Sequence, residues 1–435
     1  MRGGLPSALR SNNGVVAHPL AAALTPDGET VSFGSMRNWN FFYHRAKARF
    51  GWIGGVCWLI TCHAPALFAA EVEGFSLASP ESQGLSSEKL REMSEWVRSE
   101  DLDVRSLLVL RHGNLVLEWY AGDVSRDHNH NIYSITKSVV SLLAGLAIAE
   151  GKIDGIETTL GELFPDSKAL TTDPTKRAIT LEQLLTMRSG FPVARANKTE
   201  GPERELFDRI NAAGDRTSLI LEQLELATEP NGAFAYNNID PQLVGSAIAT
   251  ATGEHLPEFA GKALFRPLGF ENASWQFPDD TGQVPGGYGL RLRAIDLAKL
   301  GQLVLQSGKW NGKTIVDEAW IADATRDHTG AGYGYYWWLD EKKGVIGAKG
   351  VRGQRIEIVP ALDLVFVVTA ELPPARVAPV TKKLLEDFVL AAVSPQDSLP
   401  EDPEASRRLR DELETASQFR PKSRDGLPAF RLPQK

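Results

Sequence analysis

Cysteine is nearly absent from this chain of 435 residues, and the two that occur, Cys57 and Cys62, both lie near its amino terminus. So few thiols exclude a disulfide scaffold and a cysteine-rich zinc site. The HExxH zinc motif, the GxxxxGK[ST] phosphate loop and the GxSxG nucleophile turn are also missing. Metal hydrolysis and nucleotide chemistry therefore lack support.

An excess of positive charge is missing as well. The chain has 47 Lys and Arg against 55 Asp and Glu, a net charge of -8. This balance argues against broad binding to nucleic acid or to anionic lipid. With 43% hydrophobic and 23% charged residues, the composition fits a globular protein and excludes disorder throughout.

The most apolar stretch, residues 49–70, follows a basic run and ends in two alanines, an order typical of a secretory signal. Because it begins after Met36, we interpret residues 1–35 as an upstream leader or start-site artefact and residues 36–70 as a signal peptide. The mature protein is then periplasmic or secreted, without stable membrane insertion. A membrane-anchored structural protein is the alternative. Without residues 1–70, which carry six basic and two acidic side chains, the net charge is -12 and no cysteine remains.

Apolar, β-rich runs occur towards both ends of the remaining chain, and helical patterns fill its middle. The arrangement predicts an α+β fold: an antiparallel sheet built from both termini, flanked by helices, with an all-helical insertion at about residues 156–294. The charged, proline-containing residues 394–435 are predicted to be a solvated tail. The β-rich runs are residues 106–120, 333–339, 344–348, 355–359 and 364–369, and further helices are predicted at 131–150 and 380–393.

Ser134 and Lys137 stand at the start of the long apolar helix. Their SxxK spacing puts them one helical turn apart on one face, so the amine can reach the hydroxyl. A lysine whose pKa is lowered by burial can take the serine proton, and the backbone N–H groups at a helix start suit an oxyanion. Ser134 and Lys137 are therefore the candidate nucleophile and base.

A second SxxK match, Ser86 to Lys89, shows how weak the motif is alone. Ser86 stands where a helix N-cap is expected, and Lys89 lies among other charged residues. Ser134 and Lys137 instead lead into a segment without charge until Glu150, where a lysine of low pKa can exist.

Tyr236 is the only one of eight tyrosines that begins a YxN triplet. Its phenol can exchange protons with the serine or the leaving group, and the amide of Asn238 can orient substrate and lysine. The alternative is a loop tyrosine followed by turn-forming asparagines.

The glycine-rich residues 347–354 precede an apolar strand. Glycine allows close approach of a ligand, so Gly350 and Gly353 are candidate substrate-binding positions, and a strand N–H can complete an oxyanion hole with that of Ser134. The alternative is an ordinary turn between strands.

In this order, SxxK, YxN and the glycine-rich strand resemble the serine β-lactamase and penicillin-binding-protein superfamily. The class C-type branch is most similar, with its esterases, D-amino-acid peptidases and 6-aminohexanoate-dimer hydrolases. The resemblance covers about residues 74–393. Three further segments are similar to sequence patterns of the family: LEQLLTMRSG, YGYYWWL and GYGLRLRAIDLAKLGQLVLQSGKWNG.

The resemblance implies a β-lactamase-like domain over residues 71–393 and two-step acyl transfer to water, with no metal and no organic cofactor. Ser134 would be the acylated nucleophile and Lys137 its base. Tyr236 would be the proton shuttle and Asn238 would face substrate and lysine. The N–H groups of Ser134 and Val351 would form the oxyanion hole.

One departure bears on the substrate. Members that bind β-lactams carry Lys-Thr-Gly or His-x-Gly on this strand, where the present chain has Ala348, with Lys349 one residue later. A shift of one residue turns a strand side chain to the other face, so we expect Lys349 to point away from the cleft. Arg352 is the alternative cation on the face of Ala348.

The sequence thus predicts an exported serine hydrolase that acts on a small carboxylic ester or amide. β-Lactamase, D-Ala-D-Ala carboxypeptidase or D-aminopeptidase activity is the alternative within the family. A non-catalytic module that binds cell-wall peptide or a partner is the alternative of a different class.

Overall fold

The computed structural model describes residues 71–195 and 198–422, so the predictions for residues 1–70 lie outside the described residues. The strands are β1 Glu71–Val72, β2 Phe75–Leu77, β3 Val104–Arg111, β4 Asn114–Tyr120, β5 His130–Asn131, β6 Ser274–Trp275, β7 Leu290–Leu292, β8 Lys309–Trp310, β9 Lys313–Thr314, β10 Trp338–Asp340, β11 Val345–Gly350, β12 Gln354–Val359 and β13 Leu364–Ala370.

The helices vary from single turns to fifteen residues. They are α1 Ser87–Ser99, α2 Ile135–Ala149, α3 Leu160–Leu163, α4 Lys168–Thr172, α5 Pro174–Arg177, α6 Leu181–Leu185, α7 Pro202–Asn211, α8 Arg216–Gln223, α9 Ile239–Thr252, α10 Leu256–Ala260, α11 Ala294–Leu305, α12 Glu318–Ala324, α13 Pro374–Lys383 and α14 Pro403–Ala416. Helices α10 and α13 continue as π-helical segments, Gly261–Phe265 and Leu384–Leu390.

The main sheet contains eight strands in the order β1-β2-β4-β3-β13-β12-β11-β10. All neighbouring strands are antiparallel except β2 and β4. Strand β3, from the amino-terminal part of the domain, pairs with β13, from the carboxy-terminal part. The predicted α+β fold, with a sheet built from both ends of the chain, is confirmed.

Helices cover both faces of this sheet. On one face, side chains such as Leu108 and Ile356 belong to the larger apolar core, which includes residues of α2, α9 and α11. On the other face, Val109 and Phe366 belong to a second core with residues of α1 and α13. Because both faces are buried, the central strands are apolar at successive positions. Helix α2 contacts β11, which brings two of the predicted motifs together.

Two regions depart from their predicted secondary structure in detail. Strands β6 and β7 lie in the insertion predicted to be all-helical and form a small sheet with β5, so this insertion is mainly helical. The predicted strand 333–339 is a strand only from Trp338 onward. Tyr336 has a left-handed backbone, with φ 64°, and its carbonyl accepts a hydrogen bond from Ser138. Its ring is buried in the core rather than held in a β-ladder.

The prediction of a solvated tail after residue 393 is wrong for helix α14. This helix packs on α1, and its Glu412 is buried. Arg98 donates hydrogen bonds of 2.7 and 2.6 Å to Glu412, and Ser94 donates a third of 2.6 Å. A charged sequence can form an amphipathic helix with a narrow buried stripe, which composition does not reveal. In the described ranges, no helix is long and apolar enough to cross a bilayer.

Candidate active site

The turn between β5 and α2 presents Ser134. Tyr133 has a left-handed backbone, with φ 47°, which turns the chain sharply into the helix. Ser134 occupies the N-cap position, yet its hydroxyl makes no capping hydrogen bond. Strained backbone of this kind is common where a nucleophile must be exposed. The Ser134 hydroxyl is therefore available to the side chains around it.

Lys137 lies one helical turn further on, and its Nζ is 3.3 Å from the Oγ of Ser134. It donates hydrogen bonds to Oδ1 of Asn238 at 2.7 Å and to the carbonyl oxygen of Gly287 at 2.9 Å. Only 1% of the residue is exposed, and burial lowers its pKa to about 7. A neutral amine has two N–H donors and one lone pair, so two acceptors leave that lone pair for Ser134. Lys137 is thus placed and tuned as a general base near neutral pH.

Asn238 and Gly287 fix the lysine from the opposite side. The Nδ2 of Asn238 donates to the carbonyl of Ala194 at 2.9 Å, which turns its Oδ1 towards Lys137. A Cβ at position 287 would lie 2.9 Å from that oxygen and 3.1 Å from the lysine nitrogen. Glycine is therefore required there for the amine to reach both acceptors. The YxN loop and the start of helix α2 thus meet at Lys137.

Tyr236 lies against both groups. Its ring centroid is 4.9 Å from Nζ of Lys137. Burial raises the pKa of Tyr236 to about 12, although a hydrogen bond with Ser134 and the charge of Arg195 act in the lowering direction. The phenol thus stays protonated near neutral pH, which suits a group that passes a proton to a leaving group.

Ser134, Tyr236 and Asn238 line a cavity of about 530 Å³, a size suited to a small organic molecule. Aromatic rings form one wall. The ring centroid of Trp338 is 5.5 Å from that of Tyr236 and 4.7 Å from that of Tyr333. The lining residues are Asn131, Tyr133, Ser134, Arg195, Tyr236, Asn238, Phe277, Tyr288, Gly289, Trp338, Lys349, Gly350, Val351, Arg355 and Val377.

The end of β11 and the turn after it form another wall. Gly350 and Val351 line the cavity, and a Cβ on Gly350 would lie 2.5 Å from the carbonyl oxygen of Ile132. Gly353 is not among the lining residues. It has φ 103° and lies against Ala370 and Leu372, so it serves the turn geometry. The candidate oxyanion residues Ser134 and Val351 are therefore brought to one cavity, whereas Gly353 is not.

Two predictions about cations on this strand require correction. Ala348 faces the larger core and Lys349 the opposite face, as alternation requires, but Lys349 lines the cavity because it lies at the strand end, beside Trp338. The expectation that Lys349 points away from the cleft is therefore wrong. Arg352, the proposed alternative cation, pairs with Glu371 at 3.0 Å and is not among the lining residues.

Several site residues carry no sequence signal of their own. Arg195 and Arg355 line the cavity but belong to no recognised motif. Glu371 accepts hydrogen bonds from the Tyr133 hydroxyl at 3.2 Å and from Arg352 at 3.0 Å. It thus links the residue before the nucleophile to the turn that contains Val351. The pair Gly286 and Gly287 is a usable sequence signal, since adjacent glycines mark a place of close approach.

The fold occurs in known proteins. The family model described as Beta-lactamase matches residues 100–388. The 6-aminohexanoate-dimer hydrolase of Paenarthrobacter ureafaciens is 24% identical over 293 residues, which cover 63% of this chain and 74% of the relative. A Salmonella agona protein with the provisional name D-alanyl-D-alanine carboxypeptidase is 22% identical, covering 60% of this chain and 74% of the relative.

A solved structure shares the fold at lower identity. EstCE1, described as a hydrolase with promiscuous acyltransferase activity, superposes with a TM-score of 0.58 at 17% identity and covers 70% of this chain and 99% of its own. These findings define a β-lactamase-fold serine hydrolase. The chain belongs to the Beta-lactamase family.

Proposed function

We propose that this chain hydrolyses a small carboxylic ester or amide through an acyl-enzyme on Ser134. The supporting observation is the buried Lys137, whose pKa is about 7 and whose amine is 3.3 Å from the serine hydroxyl. The 6-aminohexanoate-dimer hydrolase relative and the EstCE1 neighbour support an amidase or esterase reaction.

In the first step the lone pair of Lys137 takes the proton of Ser134 while Oγ forms a bond to the substrate carbonyl carbon. The resulting oxyanion accepts hydrogen bonds from the N–H groups of Ser134 and Val351. The bond to the leaving group then breaks. The leaving group departs with a proton passed by Tyr236, which is replenished from the Lys137 ammonium.

In the second step water attacks the acyl carbon and gives a proton to the same base. The Oγ–acyl bond breaks, the carboxylic acid is released and Ser134 regains its proton. The chemistry uses the side chains and backbone N–H groups of this chain, together with water. We further propose that the mature chain works in the periplasm or outside the cell and acts on a small molecule rather than on nucleic acid.

A fluorophosphonate probe followed by peptide mapping tests the nucleophile. We expect labelling at Ser134 and none in Ser134→Ala, with Ser86→Ala as the matched control. Ser86 also heads an SxxK sequence, but it caps α1 at 3.3 Å from the N–H of Lys89, and that lysine pairs with Glu92. Labelling that persists in Ser134→Ala would contradict the proposal.

The second candidate is β-lactamase or D-Ala-D-Ala carboxypeptidase activity. Lys349 favours it because the lysine lines the cavity and offers a cation to a substrate carboxylate. Turnover of nitrocefin or of a D-Ala-D-Ala peptide, compared with p-nitrophenyl esters and linear amide dimers, separates the two. A non-catalytic binding module would turn over none of them.

A further inference from the structure

Phe277 is an aromatic residue at the catalytic cavity that the proposed reaction does not use. Its side chain is partly exposed and lines the same cavity as Ser134. Its backbone is left-handed, with φ 68°, a conformation that is unfavourable for a residue with a bulky side chain. Glycine or asparagine would fit such a position with less strain. A bulky ring is thus held here at a cost in free energy.

Packing in the protein interior does not account for this strain. Among the described residues, Phe277 is part of neither apolar core and is not one of the side chains that pack against them. Tyr336 provides a contrast, since it also has a left-handed backbone, with φ 64°, but its ring is buried in the larger core. What the ring of Phe277 provides is therefore a surface for the catalytic cavity.

A buried arginine holds the backbone of the Phe277 loop, residues 277–283. Arg216, only 2% exposed, donates hydrogen bonds to the carbonyl oxygen of Phe277 at 2.9 Å and to that of Gln283 at 3.0 Å, so it joins the two ends of the loop. The carboxylate of Asp279 accepts from the N–H of Gln283 at 3.1 Å and closes the loop from inside. Strained backbone persists where its surroundings fix it in this way. The ring is therefore presented by a well-fixed loop.

Tyr288 and Gly289 complete this part of the cavity lining. A Cβ on Gly289, whose φ is 90°, would lie 3.3 Å from Cδ2 of Phe277, so the phenyl ring lies close to backbone that carries no side chain. The hydroxyl of Tyr288 donates a hydrogen bond to Asn211 of α7. Because this hydroxyl is already bonded to the protein, Tyr288 offers mainly its ring to a ligand.

Aromatic rings thus reach the cavity from separate parts of the chain. Phe277 and Tyr288 come from the connection between β6 and β7, whereas Trp338 begins β10 and lies 5.5 Å from the ring centroid of Tyr236. The ammonium of Lys349, 5.6 Å from the ring centroid of Trp338, is compatible with such walls, since cations are attracted to aromatic faces. Walls of this kind favour a planar apolar group, which can stack on them.

Resting on the proposed function, we infer that the substrate is an ester or amide that carries an aryl group, and that Phe277 is the specificity-determining contact for that group. The aryl ring of the substrate packs against the ring of Phe277. Because the Phe277 loop is fixed before the substrate arrives, little conformational freedom is lost on binding.

Two pairs of esters test the inference, each with one aryl and one cyclohexyl member. Ethyl phenylacetate and ethyl cyclohexylacetate carry the ring on the acyl side, and benzyl acetate and cyclohexylmethyl acetate carry it on the alcohol side. In Phe277→Gly we expect the aryl-to-cyclohexyl ratio of kcat/KM to fall about twofold to tenfold in at least one pair, the range for an aromatic contact beyond its buried area. Ratios equal to those of the wild type in both pairs would overturn the inference and leave the hydrolase proposal intact.

Glycine is chosen because it adopts the left-handed backbone without strain. The midpoint of denaturant unfolding of Phe277→Gly should therefore equal or exceed that of the wild type. A lower midpoint with unchanged ratios would assign the ring to the fold alone and overturn the inference.

Asn272→Gly is the matched control. It also replaces a left-handed residue, with φ 56°, close to Phe277 in the sequence, and Asn272 is not among the described residues that line the catalytic cavity. Its ratios should equal those of the wild type. An equal fall in Asn272→Gly would count against a contact made by Phe277 and overturn the inference.

Binding separates failure of the inference from failure of the proposed function. Calorimetry with Ser134→Ala compares N-benzyl-2-phenylacetamide with the analogue in which both rings are cyclohexyl. If no ester is hydrolysed, the hydrolase proposal fails, but an affinity ratio that favours the aryl amide more in Ser134→Ala than in Ser134→Ala/Phe277→Gly still supports the aryl site. Equal affinity ratios in the two variants would overturn it.

Discussion

The amide of Asn238 and the amine of Lys137 are joined by a hydrogen bond of 2.7 Å in which the lysine donates. The carbonyl of Ala194 accepts from the other end of the amide, so the Asn238 oxygen is held towards the lysine. A neutral acceptor stabilises the amine's position without adding a negative charge that would favour the ammonium. This choice of residue keeps the pKa of Lys137 near 7 despite two acceptors.

Asn238→Asp tests that relationship. A carboxylate beside Nζ favours the ammonium, so the pKa of Lys137 rises and the base stays protonated at neutral pH. We expect the acid limb of log kcat/KM, centred near pH 7 in the wild type, to move upward by about 1 to 3 units. The measurement is a pH–rate profile with a neutral ester.

Asn237→Asp is the matched control for this change. The Oδ1 of Asn237 accepts from the N–H groups of Ile239 and Asp240 at 2.8 Å, which a carboxylate can also do, and only the hydrogen bond from its Nδ2 to the carbonyl of Ala235, at 2.9 Å, is lost. Its profile should keep a midpoint near pH 7. An unchanged midpoint in Asn238→Asp would show that Lys137 does not govern the acid limb.

Lys137 should also leave a signature in stability. Its pKa is about 7 in the folded chain against 10.5 for a free lysine, so between these values the unfolded chain binds more protons. The free energy of unfolding of the wild type, relative to Lys137→Met, should therefore fall as pH falls through this window, by up to about 1.4 kcal/mol per pH unit, and level off below it. Denaturant unfolding at pH 6 to 9 measures the difference. If the unfolding free energies of wild type and Lys137→Met ran parallel with pH, the pKa of Lys137 would not be lowered by folding.

The SxxK helix and the sheet could be predicted because their signals are local. The apolar segment after Lys137 indicates burial, and burial sets the pKa of the lysine. Lys349 could not be placed in the same way. The alternation of side chains along a strand predicts correctly that Lys349 and Ala348 lie on opposite faces of the sheet. Whether a long side chain at a strand end reaches a cavity depends, however, on which strand lies beside it. Strand β10 begins only at Trp338, and the Trp338 ring lies beside the ammonium of Lys349.

Glu371 should act as a positioning residue, because its carboxylate holds both Tyr133 and Arg352, each with a left-handed backbone, beside Ser134 and Val351, the residues of the proposed oxyanion hole. In Glu371→Ala we expect kcat to fall about tenfold with little change in KM, less than the hundredfold or more for loss of an oxyanion donor. Steady-state kinetics on a neutral ester give the two constants.

Glu371→Gln keeps an acceptor for Tyr133 and should recover part of the lost kcat. Glu341→Ala, an exposed position in the turn before β11, is the control and should leave kcat unchanged. A rise in KM at constant kcat in Glu371→Ala would instead indicate a substrate-binding role.

Helix α14 should contribute to the stability of the fold and have no effect on the rate of catalysis. Glu412 accepts from Arg98 and Ser94, and Ser94 in turn accepts from Trp119 at 2.8 Å, so Glu412→Ala leaves a partly buried arginine and a buried hydroxyl without their acceptor. We expect a loss of about 2 kcal/mol in the free energy of unfolding, below the full cost of breaking a buried pair because Arg98 is partly exposed.

The control for this variant is Glu404→Ala on the same helix, where the carboxylate pairs with Arg408 at the surface and should contribute less than about 1 kcal/mol. Denaturant unfolding measures both variants, and kcat/KM should match the wild type while each remains folded. Equal stability of the two would mean that the contact of Glu412 with Arg98 and Ser94 contributes no more to folding than a surface ion pair.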